Sequence, residues 1–124
     1  MKPCYYILQV FIPLMLSLND INAQRNLNSI DKVSLMELMK SDKIQLLDVR
    51  TENEFKLGSI EGAINVDYWD PDFVDKVLFL FDKKITTIVY CAAGGRSEMA
   101  AKLLLTKGFK KLYNFKGGYE SYIN

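Results

Sequence analysis

The sequence predicts an α/β protein whose parallel sheet is covered by helices on both faces. Short apolar runs rich in β-branched and aromatic residues alternate along the chain with segments of helix-forming residues. Strands that alternate with helices pair in parallel, because each helix returns the chain to the same end of the sheet. The runs at 44–49 and 87–90 are apolar almost throughout, which is typical of strands covered on both faces. A chain of 124 residues is long enough for one domain of this kind.

The first half of the predicted domain contains two short helices with recognisable start signals. Ser34 and Thr51 are each followed three residues later by a glutamate, the capping-box spacing that begins a helix. We expect the first helix to extend to about Lys40 and the second to end at Gly58. Two segments of this half are predicted to be strands, 44–49 and 63–66.

The second half repeats the alternation with two longer helices. Asp70 and Pro71 have the residue types of an N-cap and a first helical position, which predicts a helix over 72–81. A second helix is expected from Ser97 to Lys107, closed by Gly108. The remaining elements are predicted to be strands at 87–90 and 112–115 and a short terminal helix after Gly117-Gly118.

The stretch from Cys91 to Ser97 combines the features of an anion-binding loop with a nucleophile. It lies between a predicted buried strand and a predicted helix, at the edge of the sheet where open α/β folds bind their ligands. Gly94 and Gly95 let backbone N–H groups approach the sulfur, and the helix start adds unpaired N–H groups. Arg96 adds a permanent cation on the same turn, so the loop favours a thiolate.

The composition excludes several other chemistries. The chain contains no histidine, which rules out Ser-His-Asp and Cys-His catalysis and the ordinary histidine-containing zinc sites, and we expect no cofactor and no metal. Its 16 basic and 15 acidic residues form no block of like charge, so no nucleic-acid partner is expected.

Residues 1–23 are predicted to be a signal peptide cleaved after Ala23. Lys2 precedes an apolar stretch over 5–18 that is shorter than a membrane-spanning helix and contains a proline. The alternatives are an uncleaved membrane anchor or a buried helix. Cleavage would remove Cys4, leave Cys91 unpaired, and make the protein exported, either periplasmic or secreted, with no membrane partner. Residues 24–32 are predicted to be a loose polar arm, and 33–124 the folded domain.

Four motifs together resemble those of the rhodanese-like sulfurtransferases over most of the chain after the leader. The loop Cys91–Ser97 is similar to the family's Cys-x-x-Gly-x-Arg-Ser active-site loop, and the other three motifs follow the family's order and spacing. Ser59 stands where the family usually has histidine, and Tyr122 where it often has tryptophan. The three other matching segments are Asp48-Val49-Arg50 with Glu54-Phe55, the turn at 58–66, and Phe115-Lys116-Gly117-Gly118-Tyr119.

The resemblance implies a rhodanese fold, with a five-stranded parallel sheet, and a persulfide mechanism. In this mechanism Cys91 takes sulfur from thiosulfate or a persulfide and passes it to a thiol or cyanide acceptor. The residues implied to bind the substrate are those of the loop, namely Ala92, Ala93, Gly94, Gly95, Arg96 and Ser97. The six residues from Cys91 to Arg96 make a tighter loop than the seven of related phosphatases, and the loop differs from that of mercaptopyruvate-type members.

Alternatives stay open at this stage for the function and for individual residues. The domain is alternatively a non-catalytic binding module, or a hydrolase or reductase of phosphate or arsenate. Arg96 either contacts the donor or pairs with a carboxylate, and Ser97 is favoured as a helix N-cap over a substrate contact. Asp48, Arg50 and Glu54 are predicted to form a structural ion-pair network. The oligomeric state is left open.

Overall fold

The computed structural model describes residues 27–41 and 43–124. This part of the chain forms strands and helices that alternate in sequence. The strands are β1 (Asn28–Ile30), β2 (Ile44–Asp48), β3 (Ile64–Asn65), β4 (Thr86–Tyr90) and β5 (Leu112–Phe115). The helices are α1 (Lys32–Met39), α2 (Glu52–Leu57), α3 (Phe73–Leu80), α4 (Gly95–Thr106) and α5 (Gly118–Ile123).

The five strands form one parallel sheet in the order β1-β5-β4-β2-β3. The central strand β4 pairs with β2, with Leu47 opposite Val89, and with β5, with Val89 opposite Asn114. The predicted α/β class and the five-stranded parallel sheet are therefore confirmed. The central position of β4 places the loop that follows it in the middle of the carboxyl edge of the sheet.

Each face of the sheet carries its own apolar core, because alternate residues of a strand point to opposite faces. On one face Val89 packs with residues of α3 and α4, such as Val77 and Leu104. On the other face Ile88 and Tyr90 pack with Leu35 of α1, and Tyr119 of α5 lies against this core. The helices therefore cover both faces, as predicted.

The structure moves the starts of three predicted helices. Helix α1 is capped by Asp31, whose side chain accepts a 2.8 Å hydrogen bond from the N–H of Ser34, so Ser34 lies inside the helix. Helix α3 begins after an Asp72 cap without a side-chain hydrogen bond, and Pro71 belongs to the preceding turn. Helix α4 begins at Gly95, two residues before the predicted start, because Gly94 supplies a left-handed cap with φ 111°.

The predicted polar arm is wrong for the part that the structure describes. Residues Asn28–Ile30 form the edge strand β1, and Ser29 pairs with Asn114 of β5. Backbone pairing stabilises this segment although its side chains are largely exposed, so an alternating apolar pattern is not required. Residues 1–26, with the predicted leader, lie outside the described part. Within the described part, no helix is both long and apolar enough to cross a membrane.

Candidate active site

Cys91 lies directly after β4 and is almost completely buried, with 2% of its surface exposed. The four residues that follow it form a loop that ends in the first turn of α4. The predicted position of the cysteine between a buried strand and a helix start is thus observed. A buried thiol needs nearby donors if it is to ionise, because burial disfavours the charged form.

Hydrogen-bond donors surround the Cys91 sulfur. The N–H of Gly94 donates to Sγ at 3.0 Å, and the Ser97 Oγ lies 3.4 Å from Sγ and 3.1 Å from the Gly94 carbonyl oxygen. Burial by itself raises the pKa of the Cys91 thiol. The hydroxyl and N–H of Ser97, with the N–H groups of Gly94 and Ala93, outweigh burial, so the pKa lies below its ordinary value.

The start of α5 binds the backbone of the loop that follows Cys91. The N–H groups of Tyr119 and Glu120 donate to the carbonyl oxygens of Cys91 and Ala92 at 2.8 and 3.0 Å. These bonds hold the carbonyl oxygens of the first two loop residues against α5. Gly118 has φ 60°, and a Cβ atom there would collide with the same two carbonyl groups.

Sequence reasoning identified the Gly117-Gly118 turn as a family motif but missed its contact with the loop. The same turn region also constrains the loop at a second point. A Cβ atom at Gly94 would collide with the carbonyl oxygen of Lys116, the residue just before this turn. Two adjacent glycines that follow a strand near the chain end are the signal that would have pointed to a close backbone approach.

Arg96 pairs with Glu54 of α2 through two parallel hydrogen bonds. The guanidinium donates to Oε1 at 2.7 Å and to Oε2 at 2.9 Å, and both side chains are partly buried. Hydrogen bonds from Arg96 lower the pKa of Glu54 to about 2. The hydrogen bond to Glu54 raises the pKa of Arg96, to which the negative charges of Cys91 and Asp67 contribute. Of the two roles considered for Arg96, the structure shows the ion pair with a carboxylate.

Asp48 and Arg50 form a buried pair at the end of β2. Arg50 Nη2 lies 2.7 Å from Asp48 Oδ2 and also donates to the carbonyl oxygen of Gly58 at 2.7 Å. The Arg50 guanidinium lies 4.3 Å from the centre of the ring of Tyr119, which is a residue of α5. The predicted pairing of Asp48 with Arg50 is therefore observed, whereas the predicted inclusion of Glu54 in this network is wrong.

The predicted site residues, 91–97, lie in one loop and differ in their exposure to solvent. Gly94 and Ser97 are buried, whereas Ala93 and Gly95 are exposed. Ser97 is the third residue of α4 and faces the sulfur, so its predicted N-cap role is wrong. Within 27–41 and 43–124, no group of three or more histidine, cysteine, aspartate or glutamate side chains is arranged to hold a metal ion.

Comparison with known families agrees with this arrangement. A sequence profile of the rhodanese-like domain matches residues 31–124. The chain belongs to the rhodanese-like domain family. Rhodanese-like domains generally use small sulfur-containing substrates, so a sulfurtransferase function fits the family.

Individual relatives of this rhodanese-like domain differ in size. Rhodanese-like domain-containing protein 17 of Arabidopsis thaliana is 31% identical over 135 residues, covering 96% of this chain and 86% of that protein. The tRNA uridine(34) hydroxylase of Acinetobacter baumannii is 38% identical over 92 residues, which span 70% of this chain but 29% of that enzyme. The crystal structure of a rhodanese-like domain protein from Staphylococcus aureus superimposes with a TM-score of 0.68 at 29% identity. That superposition covers 77% of this chain and 91% of the other.

Proposed function

We propose that this rhodanese-like domain is a sulfurtransferase that carries sulfur as a persulfide on Cys91. The observation that supports this proposal most strongly is the ring of donors around a single buried sulfur. The N–H of Gly94 and the hydroxyl of Ser97 lie within hydrogen-bond reach of Sγ, and the thiol pKa is lowered despite burial. A thiolate held in this way is an activated nucleophile.

The reaction proceeds in two half-reactions. In the first, the Cys91 thiolate attacks the outer sulfur of the donor, a sulfur–sulfur bond forms, and the remainder of the donor leaves with the electron pair of the broken bond. Sulfite leaves when the donor is thiosulfate, and a thiol leaves when it is an organic persulfide. In the second, an acceptor thiolate or cyanide attacks the outer sulfur and regenerates the Cys91 thiolate.

The loop backbone also suits the intermediate. A persulfide anion places its negative charge one sulfur farther from the Cys91 Cβ. Ala93 and Gly95 are exposed and contribute no bulky side chain to the loop, which leaves space for an added sulfur. Six residues from Cys91 to Arg96 make a small ring of donors. This small ring supports sulfur transfer over phosphate or arsenate chemistry, because an oxyanion with several oxygens requires a wider cradle.

Mass spectrometry of the intact protein tests the proposal. Incubation with thiosulfate or glutathione persulfide is expected to add about 32 Da, one sulfur atom, and cyanide or dithiothreitol is expected to remove it. Cys91→Ser is expected to abolish the adduct and turnover. In the uncleaved chain Cys4→Ser serves as the matched control, because it removes the same cysteine that cleavage after Ala23 would remove, and it is expected to keep both the adduct and turnover.

Three outcomes would contradict the proposal. Full sulfur transfer by Cys91→Ser would refute the role of the thiolate. A folded wild-type protein that accepts sulfur from neither donor would instead support a non-catalytic binding module. Hydrolysis of p-nitrophenyl phosphate would favour the oxyanion hydrolase.

A further inference from the structure

Carboxylates neutralise both arginines that lie near the loop. Arg96 is held by Glu54 through two hydrogen bonds of 2.7 and 2.9 Å. Arg50 is held by Asp48 through a buried contact of 2.7 Å and is further covered by the Tyr119 ring. A guanidinium bound by a carboxylate on its fork has fewer donors left for an incoming anion.

The loop therefore offers an incoming anion no uncompensated cation of its own. The side chains of Ala92, Ala93 and Gly95 carry no charge, so Arg96 is the loop's own cation. This one cation lies near two carboxylates, Glu54 in direct contact and Asp67 close enough to raise its pKa. The thiolate itself adds a further negative charge.

Lys116 lies beside the loop but shares no cavity with Cys91 in the described part of the chain. It lines a cavity of about 440 Å³ together with Glu98, Asn114 and residues 93–95 of the loop. Cys91 does not line that cavity, and the carboxylate of Glu98 pairs with Lys102 at 3.1 Å.

Building on the proposed sulfurtransferase function, we propose that the donor is an organic persulfide and that Glu54 is the residue that disfavours thiosulfate. The Cys91 thiolate takes the outer sulfur of R–S–SH, the thiol R–SH leaves with the proton, and Cys91 becomes the persulfide. No oxidant or reductant is consumed. Glu54 acts through its charge and its hold on Arg96 and need not touch the donor.

Charge is the physical basis of this discrimination. Thiosulfate carries two negative charges within a few atoms and must bring both to the sulfur. An organic persulfide carries at most one charge at its reacting end, and its remaining groups stay outside the loop. Because electrostatic interactions grow in proportion to charge, a loop whose cation is already compensated by Glu54 penalises the dianion more than the persulfide.

Two isosteric variants on the same helix test the proposal. Glu54→Gln removes the charge but keeps an oxygen that can bind Thr51 in the capping box. Glu52→Gln is the matched control, because Glu52 is exposed and pairs with Lys56 one turn away. The measurement is kcat/KM with thiosulfate and with glutathione persulfide, with dithiothreitol as the acceptor.

Wild type is expected to prefer the persulfide, and Glu54→Gln is expected to raise kcat/KM for thiosulfate by about tenfold or more. The value for the persulfide should change by less than about threefold, since at most one negative charge of glutathione persulfide lies at its reacting end. Glu52→Gln should leave both values unchanged. An unchanged or reduced preference for thiosulfate in Glu54→Gln would overturn the proposal.

A second measurement on the same variants is independent of sulfur transfer. Iodoacetate and iodoacetamide alkylate Cys91 with loss of iodide and differ mainly in one negative charge. The ratio of the iodoacetate rate to the iodoacetamide rate is expected to be low in wild type. This ratio should rise by severalfold in Glu54→Gln and should keep its wild-type value in Glu52→Gln.

The two measurements separate the two proposals. If the alkylation ratio rises in Glu54→Gln but neither donor adds sulfur, the charge discrimination stands and the proposed sulfurtransferase function is wrong. If both donors add sulfur but the ratio and the donor preference stay constant, sulfur transfer stands and the role of Glu54 is wrong.

Discussion

At the scale of single residues, the chemistry of the candidate site depends on the balance between burial and hydrogen bonding at the Cys91 sulfur. Burial of Cys91 opposes ionisation, and the donors from Ser97, Gly94 and Ala93 favour it. The donors outweigh burial because several hydrogen bonds to a charged acceptor act together, each stronger than a bond between neutral groups. Ser97 contributes both a hydroxyl and an N–H, so it is the residue whose loss should shift the balance most.

The rate of Cys91 alkylation by iodoacetamide should therefore report a lowered pKa. The thiolate is the reactive form, so its rate is expected to reach half of its plateau below about pH 8.5, where an ordinary thiol is half ionised. Ser97→Ala is expected to move this midpoint to higher pH and to slow alkylation at pH 7 by about twofold to tenfold, the equivalent of one hydrogen bond.

Thr106→Ala is the control for this experiment. Thr106 lies on the same helix as Ser97, and its hydroxyl donates to the carbonyl oxygen of Leu103 at 2.5 Å, far along the helix from the sulfur. Its loss should leave the midpoint unchanged. A wild-type midpoint at or above that of an ordinary thiol would contradict the described balance.

At the scale of elements, the site is built where three segments distant in the sequence meet. Cys91 directly follows strand β4, and Glu54 lies on helix α2. Helix α5 binds the loop backbone through its first N–H groups. The glycine at the start of α5 permits the closest of these approaches. Its conformation and the space beside it are both restricted, which makes Gly118 a point where the fold and the site are coupled.

Gly118→Ala is expected to destabilise the domain and to alter the site together. Gly62→Ala is the matched control, because Gly62 also has a positive φ, of 84°, but has no atom within 4 Å of the added Cβ. Backbone strain alone should cost Gly62→Ala about 1 kcal/mol. Gly118→Ala should cost about 1–3 kcal/mol more, because the methyl group also collides with the carbonyl groups of Cys91 and Ala92.

Urea unfolding and Cys91 alkylation measure the two effects of these glycine variants. Gly118→Ala should slow alkylation at pH 7, since the shifted loop carries its N–H groups away from the sulfur. Gly62→Ala should leave alkylation unchanged. Equal free energies of unfolding for the two variants would show that the close approach of α5 to the loop does not affect the stability of the domain.

At the scale of the whole molecule, one buried ion pair connects both halves of the chain. Arg50 binds Asp48 at the end of β2, the carbonyl oxygen of Gly58 after α2, and the ring of Tyr119 on α5. Removal of one member of a buried pair leaves the other charged and without compensation, which costs more than replacing both. The pair therefore specifies how the elements around the site are arranged.

Arg50→Met is expected to lower the free energy of unfolding by about 3–5 kcal/mol, because Asp48 stays buried without its partner. The double variant Asp48→Asn with Arg50→Met is expected to recover part of this loss, and urea unfolding of both variants measures the difference. A double variant less stable than Arg50→Met would show that Asp48 contributes through contacts other than the ion pair.

Local patterns in the sequence predicted much of the fold and the position of the nucleophile. Apolar runs predicted β2, β4 and β5, and the capping box that begins at Thr51 is present in the structure. These features depend on residues a few positions apart, so the sequence carries them directly. The junction of a strand and a helix at Cys91 is of the same kind.

The tertiary structure alone decided the contacts that tune the site. Glu54 and Arg96 are 42 positions apart, so no local pattern shows that they pair. Strand β1 depends on the exposed edge of β5, and its end at Ile30 sets where Asp31 caps the next helix. The sequence thus determined which group is the candidate nucleophile, whereas the folded chain determined which charges surround it, because charge interactions depend on distance in space.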